Sequence, residues 1–399
     1  MENSRGVYVS IALDGKTIPV GRMWHYRRQG RESASFEYEK EWLENPNSFA
    51  IEPALALTRG AHYTDKALFG ALGDSAPDRW GRTLLQHTNY GKKLSELDYL
   101  LGVDDEGRKG ALRFSKNING PYMKRTTKIT NPPFIRLERL LTISEKVLEN
   151  RETKEELELI LNSGSVLGGS RPKTVFTDKN GVYSIAKFPR KDDLTDIVRW
   201  EAVALTLAKA AGINVPEFRL ENIKGKPILI VRRFDRYFIR EKENRIPFIS
   251  AMSMIGAQES DNCFSFVDIA YILRKFSAQP DGDCSELWRR MVFGLMIRNT
   301  DNHLRNHGFL YAGKGWILSP AYDLNPNSEG SDFSVPVDTE AGNSLETAIK
   351  LAGKFRLSEA QANNILKEVQ DAVADWQKTA KSFEIPEDSI ERMGPAFSV

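Results

Sequence analysis

The sequence predicts an α+β protein of two lobes, with a mixed α/β N-terminal part and a mostly α-helical C-terminal lobe. Three observations carry this reading. Val7-Tyr8-Val9-Ser10-Ile11-Ala12-Leu13 alternates and turns at Asp14-Gly15, so a small β element opens the chain. Strand patterns run from Thr174 to Phe234, interrupted by one helix, and helical spacing dominates after Phe264. The predicted parts are an N-terminal α/β subdomain over 1–115, an α/β lobe with a Gly/Ser-rich loop over 116–235, and a mainly helical lobe over 236–399.

Taken in order, helical patterning first appears from Thr64 to Leu85. Within it, Asp74-Ser75-Ala76-Pro77-Asp78-Arg79-Trp80-Gly81-Arg82 reads as a helix start, with Ser75 or Asp74 as cap, Pro77 in the first turn and Trp80 packing between lobes. A polar stretch from Ser115 through Pro132-Pro133 marks a boundary, and helix follows from Phe134 to Leu161. Ser163-Gly164-Ser165-Val166-Leu167-Gly168-Gly169-Ser170-Arg171-Pro172-Lys173 is then a Gly/Ser-rich loop with two basic side chains. Its glycines let backbone amides approach phosphate oxygens, which Arg171 and Lys173 could neutralise. The Walker pattern is absent, and Pro172 would break a helix beginning there.

In the strand that follows, Tyr183, Ile185 and Lys187 share one face, which is how a strand lysine is held over a nucleotide. The amphipathic segment Asp196–Ala208 places Glu201 on a stripe with Val198, Ala202, Leu205 and Ala208. A carboxylate on an apolar stripe needs a cation. Lys187 is the economical partner and Arg199 the rival. Gly212 to Pro216 ends the helix, and Pro227–Val231 is a buried strand running into Arg232-Arg233-Phe234-Asp235, a connector whose backbone could meet adenine.

The segment Arg298-Asn299-Thr300-Asp301-Asn302-His303-Leu304-Arg305-Asn306 puts an Asp five positions ahead of an Asn after an apolar run. That is the spacing of a phosphotransferase catalytic loop, in which the Asp accepts or orients a hydroxyl proton and the Asn gives an oxygen to magnesium. A second metal ligand should follow, and Asp323 in Tyr322-Asp323-Leu324-Asn325-Pro326 stands beyond a hairpin signal at Gly313-Lys314-Gly315. His303 could brace the loop. The last segment, Ser358 to Lys381, reads as a core-packing helix with Ser358 as N-cap.

These pieces together resemble one family. Ser35-Phe36-Glu37-Tyr38 with Trp42-Leu43, Gly73 to Arg82, the Gly/Ser loop with Arg171-Pro172-Lys173, Ala186-Lys187-Phe188-Pro189, Arg233-Phe234-Asp235-Arg236, Asn299 to His303 and Tyr322-Asp323-Leu324 occur in the order found in HipA-type serine/threonine kinases. Those kinases are the toxin components of bacterial toxin–antitoxin pairs, and the resemblance covers nearly the whole chain. It implies an ATP- and Mg2+-dependent protein kinase with Asp301 as catalytic base and Asn306 and Asp323 as metal ligands. Lys187 would lie on the nucleotide phosphates and Arg233 and Phe234 at the hinge, alongside Glu201, Gly168, Gly169, Arg171 and Lys173. It also implies a serine on the Gly-rich loop whose phosphorylation silences the enzyme. By position that is Ser165, with Ser163 the second candidate. A DNA-binding HipB-like antitoxin and a protein substrate such as an aminoacyl-tRNA synthetase are the implied partners. The chain departs from the best-known member at Arg232 and over Arg245 to Met254, which places it in a different subgroup and leaves its substrate uncarried.

Composition sets bounds on these readings. With 399 residues, 41% of them apolar, the chain is too long for one ordinary domain. A net charge of +2 with mixed signs gives no reason to expect direct nucleic acid binding. Cys263 and Cys284 lack paired spacing, which suits a reducing, cytoplasmic location, and no apolar run approaches the ~20 residues of a membrane helix. Two other readings stay open at this level: a small-molecule kinase using the same Asp/Asn chemistry, and a catalytically idle partner of a DNA-binding antitoxin.

Overall fold

Alternation at the start of the chain builds an antiparallel sheet from β1 (Asn3–Leu13), β2 (Lys16–Arg28), β3 (Arg31–Tyr38), β4 (Ala61–Thr64) and β5 (Leu112–Ser115). Their order is β4-β3-β2-β1-β5. Asp14 and Gly15 both sit at positive φ, 49° and 71°, the two-residue turn whose twist matches the flanking strands. Gln29 and Gly30 repeat the device at the next hairpin. The inward residues Val7, Val9, Ile11, Met23 and Phe36 are buried, each contributing about 1.5–3 kcal/mol by leaving water. The computed structural model describes residues 3–123, 137–162, 169, 171–178, 181–239, 242–261 and 263–397.

The chain divides into two compact units. One comprises Met1–Lys191, Ile223–Lys226 and Ile230–Ile249; the other comprises Asp192–Asn222, Pro227–Leu229 and Ser250–Val399. Besides its sheet, the first unit carries helices α1 (Lys40–Leu43), α2 (Gly70–Gly73), α3 (Arg79–Thr88), α4 (Glu96–Gly102), α5 (Leu137–Leu148) and α6 (Lys154–Asn162). The helix expected from Phe134 to Leu161 is therefore two helices where it is described. Asn150 at φ 52° ends the first, and the Thr153 hydroxyl takes the Glu156 N–H at the start of the second.

The cap of α3 is also not where the sequence suggested. Asp74 closes α2, and Asp78 is the N-cap of α3, its carboxylate accepting the Gly81 N–H at 3.0 Å. Pro77 lies just outside the helix rather than in its first turn. Trp80 is buried, its indole Nε1 donating to the Lys173 carbonyl at 3.0 Å, which joins the predicted 1–115 part to the 116–235 lobe, both residues lying in the first unit.

β6 (Lys173–Thr177) and β7 (Tyr183–Lys187) pair antiparallel, with Lys173 opposite Lys187. β8 (Phe218–Ile223) and β9 (Lys226–Arg232) complete a four-stranded sheet in the order β6-β7-β9-β8, and the division between units runs through these last two strands. A short hairpin of β10 (Arg236–Ile239) and β11 (Lys242–Arg245) follows, in a stretch that the helical reading of 236–399 did not include.

Charge, rather than apolar contact, fixes that hairpin in the first unit. Asp235 accepts Arg233 Nε at 2.9 Å and Nη2 at 2.8 Å, Arg236 Nη1 at 3.0 Å and the Gly110 N–H at 2.7 Å. Arg233 also donates to the carbonyls of Gly107 and Arg108, at 3.0 and 2.8 Å. Arg108, wholly buried, donates to the carbonyls of Ser75, Leu100 and Val103. Burial alone would raise the Asp235 carboxyl, but the guanidiniums of Arg233 and Arg236 outweigh it and hold it well below the ordinary carboxylate range.

The second unit is mainly helical. It holds α7 (Ile197–Ala210), α8 (Ala251–Ile255), α9 (Phe266–Phe276), α10 (Pro280–Met296), α11 (Leu345–Lys350), α12 (Glu359–Ala374), α13 (Trp376–Ser382) and α14 (Glu387–Met393). β12 (Phe248–Ser250), which straddles the division between units, β13 (Gly308–Tyr311) and β14 (Trp316–Leu318) form a small sheet in that order. Ser358 caps α12 as the sequence suggests, in a box with Gln361, and Ala362, Ile365, Val369 and Val373 are buried. The helix does not run on to Lys381. It breaks at Asp375, and Trp376 stacks on Phe397 at 4.4 Å. Among the described residues no helix is long and apolar enough to cross a membrane.

Two stability predictions follow from buried carboxylates. Asp235→Ala leaves Arg233 and Arg236 without their shared counter-charge in the interior, so chemical denaturation should show a loss of roughly 3–5 kcal/mol. Glu52 behaves in the opposite way: burial pushes its carboxyl up to about 7, although the Ala71 and Gly70 N–H groups favour its anion. Because the folded value lies above the ordinary 4.5, its contribution is fully present below pH 4.5 and is lost as the pH rises through 7. Glu52→Gln should therefore flatten the decline of unfolding midpoint across that window, as measured by thermal melts at stepped pH.

Candidate active site

In the second unit, the segment 298–306 leaves the buried helix α10 through Arg298, whose φ of 46° is left-handed. That turn sorts the residues after it. Asn299, Thr300 and Asn302 point inward and are buried, while Asp301 is exposed. Asn306 Nδ2 donates to the Asp301 carbonyl at 2.9 Å, closing the five-residue interval recognised in the sequence into one compact turn. The Asn306 N–H meets the His303 carbonyl at 2.8 Å, so His303 braces the loop through its backbone.

Three hydrogen bonds fasten this loop to the segment containing Asp323. Tyr322 Oη donates to the Arg305 carbonyl at 2.7 Å, the Asn325 N–H to Asn299 Oδ1 at 3.2 Å, and Asn327 Nδ2 to Thr300 Oγ1 at 2.7 Å. Asp323 itself has φ 55°, a left-handed conformation that Asp tolerates better than most residues. The two loops are legible in the sequence but these ties are not, because Tyr322, Asn299 and Asn327 lie 17 to 27 positions from their partners. Behind the loop, burial pushes the His307 imidazole down to about 3, with Arg290 and His303 adding to the effect, so this ring is a neutral strut near neutral pH.

The donor set suits a hard cation. With Nδ2 committed to the Asp301 carbonyl, Asn306 keeps Oδ1 without a hydrogen-bond partner among the described residues. A carboxamide oxygen and the Asp323 carboxylate are the oxygen donors magnesium prefers. Among the described residues no group of three or more His, Cys, Asp or Glu could hold a metal, so the remaining ligands would be phosphate and water oxygens.

In the first unit, β7 has its Ser184 and Ala186 face buried, and its Tyr183, Ile185 and Lys187 face partly open, the shared face expected from alternation. Lys173, directly opposite Lys187, is 5% exposed, and its ammonium lies 4.0 Å from Asp78 Oδ2. Gly169 has φ 84°, and a Cβ there would come within 2.9 Å of Lys173 Nζ, so only glycine leaves that ammonium its place. Arg171 is half-buried. Ser163, Ser165 and Gly168 lie outside the described residues.

Two further candidates come out differently. Glu201 in α7 is 5% exposed, and Arg199, its rival partner, pairs instead with Asp196 at 2.5 Å. The Arg233 guanidinium is taken up by Asp235 and two carbonyls, so the expectation of a nucleotide contact at this residue reduces to its backbone. The Phe234 ring lies 6.3 Å from that of Phe248.

Comparison with known proteins agrees with this arrangement of elements. The family model for the HipA N-terminal domain matches residues 11–115, and that for the HipA-like C-terminal domain matches 165–376. Y4mE of Sinorhizobium fredii (strain NBRC 101917 / NGR234), provisionally named a kinase, is 28% identical over 170 residues, 41% of this chain and 39% of that protein. This chain thus spans well under two thirds of Y4mE, and 55% of a second protein of that strain, Y4dM. Toxin YjjJ of Escherichia coli (strain K12) is 22% identical over 364 residues, 84% of this chain and 76% of the toxin. A chain from the solved complex of the Shewanella oneidensis MR-1 toxin–antitoxin system HipA, HipB and operator DNA shares the fold. Its TM-score is 0.68 at 16% identity, covering 98% of this chain and 95% of that one. Since the C-terminal model alone takes in more than half of the 399 residues and the N-terminal model most of the opening sheet, the chain belongs to the HipA-like family.

Proposed function

We propose that the chain is a kinase of the HipA toxin type that transfers the γ-phosphoryl group of ATP to a serine or threonine of a cytosolic protein. The observation that carries this reading is the loop 299–306. It presents Asp301 to solvent while its buried neighbours anchor it, and its amide bond to the Asp301 carbonyl leaves Asn306 Oδ1 available. Asp301 orients the attacking hydroxyl and accepts its proton. Asn306 and Asp323 would hold magnesium, which when bound offsets phosphate charge. Lys187 and Lys173, with Arg171 and the backbone around Gly168 and Gly169, take the phosphates, and Glu201 steadies Lys187. The connector at Arg233 and Phe234 offers its backbone to adenine.

Family membership supports two further parts of the proposal. The Gly/Ser loop carries a silencing autophosphorylation site, Ser165 or else Ser163, because a dianion placed there repels ATP phosphates. A HipB-like antitoxin is the partner, as in the related complex with operator DNA, and any contact of this chain with DNA is through that partner. The protein substrate is of the aminoacyl-tRNA synthetase kind.

The test is incubation with labelled ATP and magnesium, alone and with bacterial lysate, followed by gel and peptide mapping. Asp301→Asn and Asp323→Asn should each lower transfer by roughly a hundredfold to ten-thousandfold with unfolding midpoints unchanged, and chelation of magnesium should do the same. Transfer at the wild-type rate in either variant at saturating ATP would remove that residue from its role. Label appearing only in small molecules would replace the protein substrate with a metabolite.

A further inference from the structure

The turn Asp74–Arg82 has no part in the chemistry just described, yet it touches the lysine-bearing edge of β6 at three points. The Trp80 N–H donates to the Gly169 carbonyl at 3.3 Å and its indole Nε1 to the Lys173 carbonyl at 3.0 Å. Gly169 and Lys173 are thus both fastened to one buried residue, the first by its backbone and the second by its side chain. Asp78 contributes the third contact. One carboxylate oxygen caps α3 through the Gly81 N–H at 3.0 Å, and the other, Oδ2, lies 4.0 Å from Lys173 Nζ.

Lys173 is in an unusual position for a cation. Its side chain is 6% exposed, and it stands directly across the β6–β7 ladder from a second lysine, Lys187. Like charges directly opposite each other destabilise a strand pair, and a buried ammonium without a counter-charge is disfavoured. Among the described residues Asp78 is the only carboxylate within 4.0 Å of Lys173 Nζ. At that separation it balances charge without a hydrogen bond, since good N–H···O contacts are near 2.9 Å. Because its other oxygen is committed to the helix cap, the carboxylate stays in place when a second anion arrives.

We propose that Asp78 is the resident counter-ion of Lys173, supplanted there by phosphate oxygens of a polyphosphate ligand, and that Trp80 is the positioning residue that sets the backbone around that exchange. The proposal rests on the nucleotide reading of Lys173 and Lys187 given above. Asp78 stabilises the ligand-free protein and, being fixed, repels the incoming phosphates. Nucleotide affinity is therefore held below what the two lysines alone would give.

Calorimetry on the full chain with ATP, adenosine and inorganic tripolyphosphate tests this. Asp78→Asn and Asp78→Ser both keep a capping oxygen for Gly81 and remove the charge. Each should tighten ATP and tripolyphosphate roughly threefold to tenfold and leave adenosine unchanged, while the ligand-free protein melts a few degrees lower. Adding Lys173→Met should cancel the gain. Trp80→Phe, which removes the indole N–H together with part of the buried ring, should weaken ATP and tripolyphosphate but not adenosine; unchanged affinity would overturn the positioning role. If both Asp78 variants bind tripolyphosphate as the wild type does or more weakly, while Lys173→Met weakens it, the counter-ion assignment is wrong and the nucleotide reading stands. If the wild type and every variant bind neither ATP nor tripolyphosphate, the nucleotide reading fails and takes the proposal with it.

Discussion

The first unit depends on the carboxylate of Asp235. It gathers two guanidiniums and a backbone N–H from segments about 125 positions apart. Through Arg233 the network reaches the Arg108 carbonyl, and Arg108 in turn reaches the Ser75 carbonyl at 2.7 Å. Ser75 begins the short turn that ends in the Asp78 cap, and two residues on, Trp80 ties down Gly169 and Lys173. A continuous path of buried hydrogen bonds and short backbone thus runs from the charge network to the candidate phosphate loop. Offsetting several kcal/mol of desolvation cost per ion requires such geometry, and Arg233 has it, with four side-chain hydrogen bonds and a backbone bond to the Tyr183 carbonyl.

The second unit holds its candidate loop by other means. Neutral amides and hydroxyls do the anchoring there: Asn299 to Asn325, Thr300 to Asn327, Tyr322 to Arg305. Even the buried histidine behind the loop is kept uncharged by burial. The physical advantage is that uncharged anchors do not compete with a cation or a polyphosphate for the charged groups of the site. Asp301 and Asp323 are the carboxylates of the two fastened segments, and neither takes part in any of these three ties.

What was legible in the sequence was local. The Asp14-Gly15 turn, the buried stripe of α7, the Ser358 cap and the Asp301-to-Asn306 interval each depend on residues within a few positions of one another. The misreadings have a common origin. Asp74, Ser75 and Asp78 are all acceptable caps, and only the helix that forms decides among them; the Asp78 to Gly81 spacing is the signal that could have found it. Trp80 looked like a packing residue because nothing local reveals that its indole meets a carbonyl 93 positions away. Arg233 looked available because its sequence neighbours are charged, whereas its partners at Gly107 and Arg108 are remote. The break at Asp375 is equally invisible to periodicity, since Trp376 keeps the helical spacing while turning to stack on Phe397.

These contrasts separate cations that build the fold from cations that serve a site. Arg233 and Arg108 are buried and commit most of their N–H donors to carbonyls and a carboxylate of the fold at 2.7–3.0 Å. Lys173 is as deeply buried, yet its ammonium has only a carboxylate at 4.0 Å among the described residues, and it sits against a glycine backbone opposite another lysine. A fold selected only for stability has no use for that arrangement, because an apolar side chain at position 173 would remove both the desolvation cost and the like-charge pair. The incomplete partnership of Lys173 is therefore better explained by a ligand that completes it than by packing, and burial alone would never have told the two kinds of cation apart.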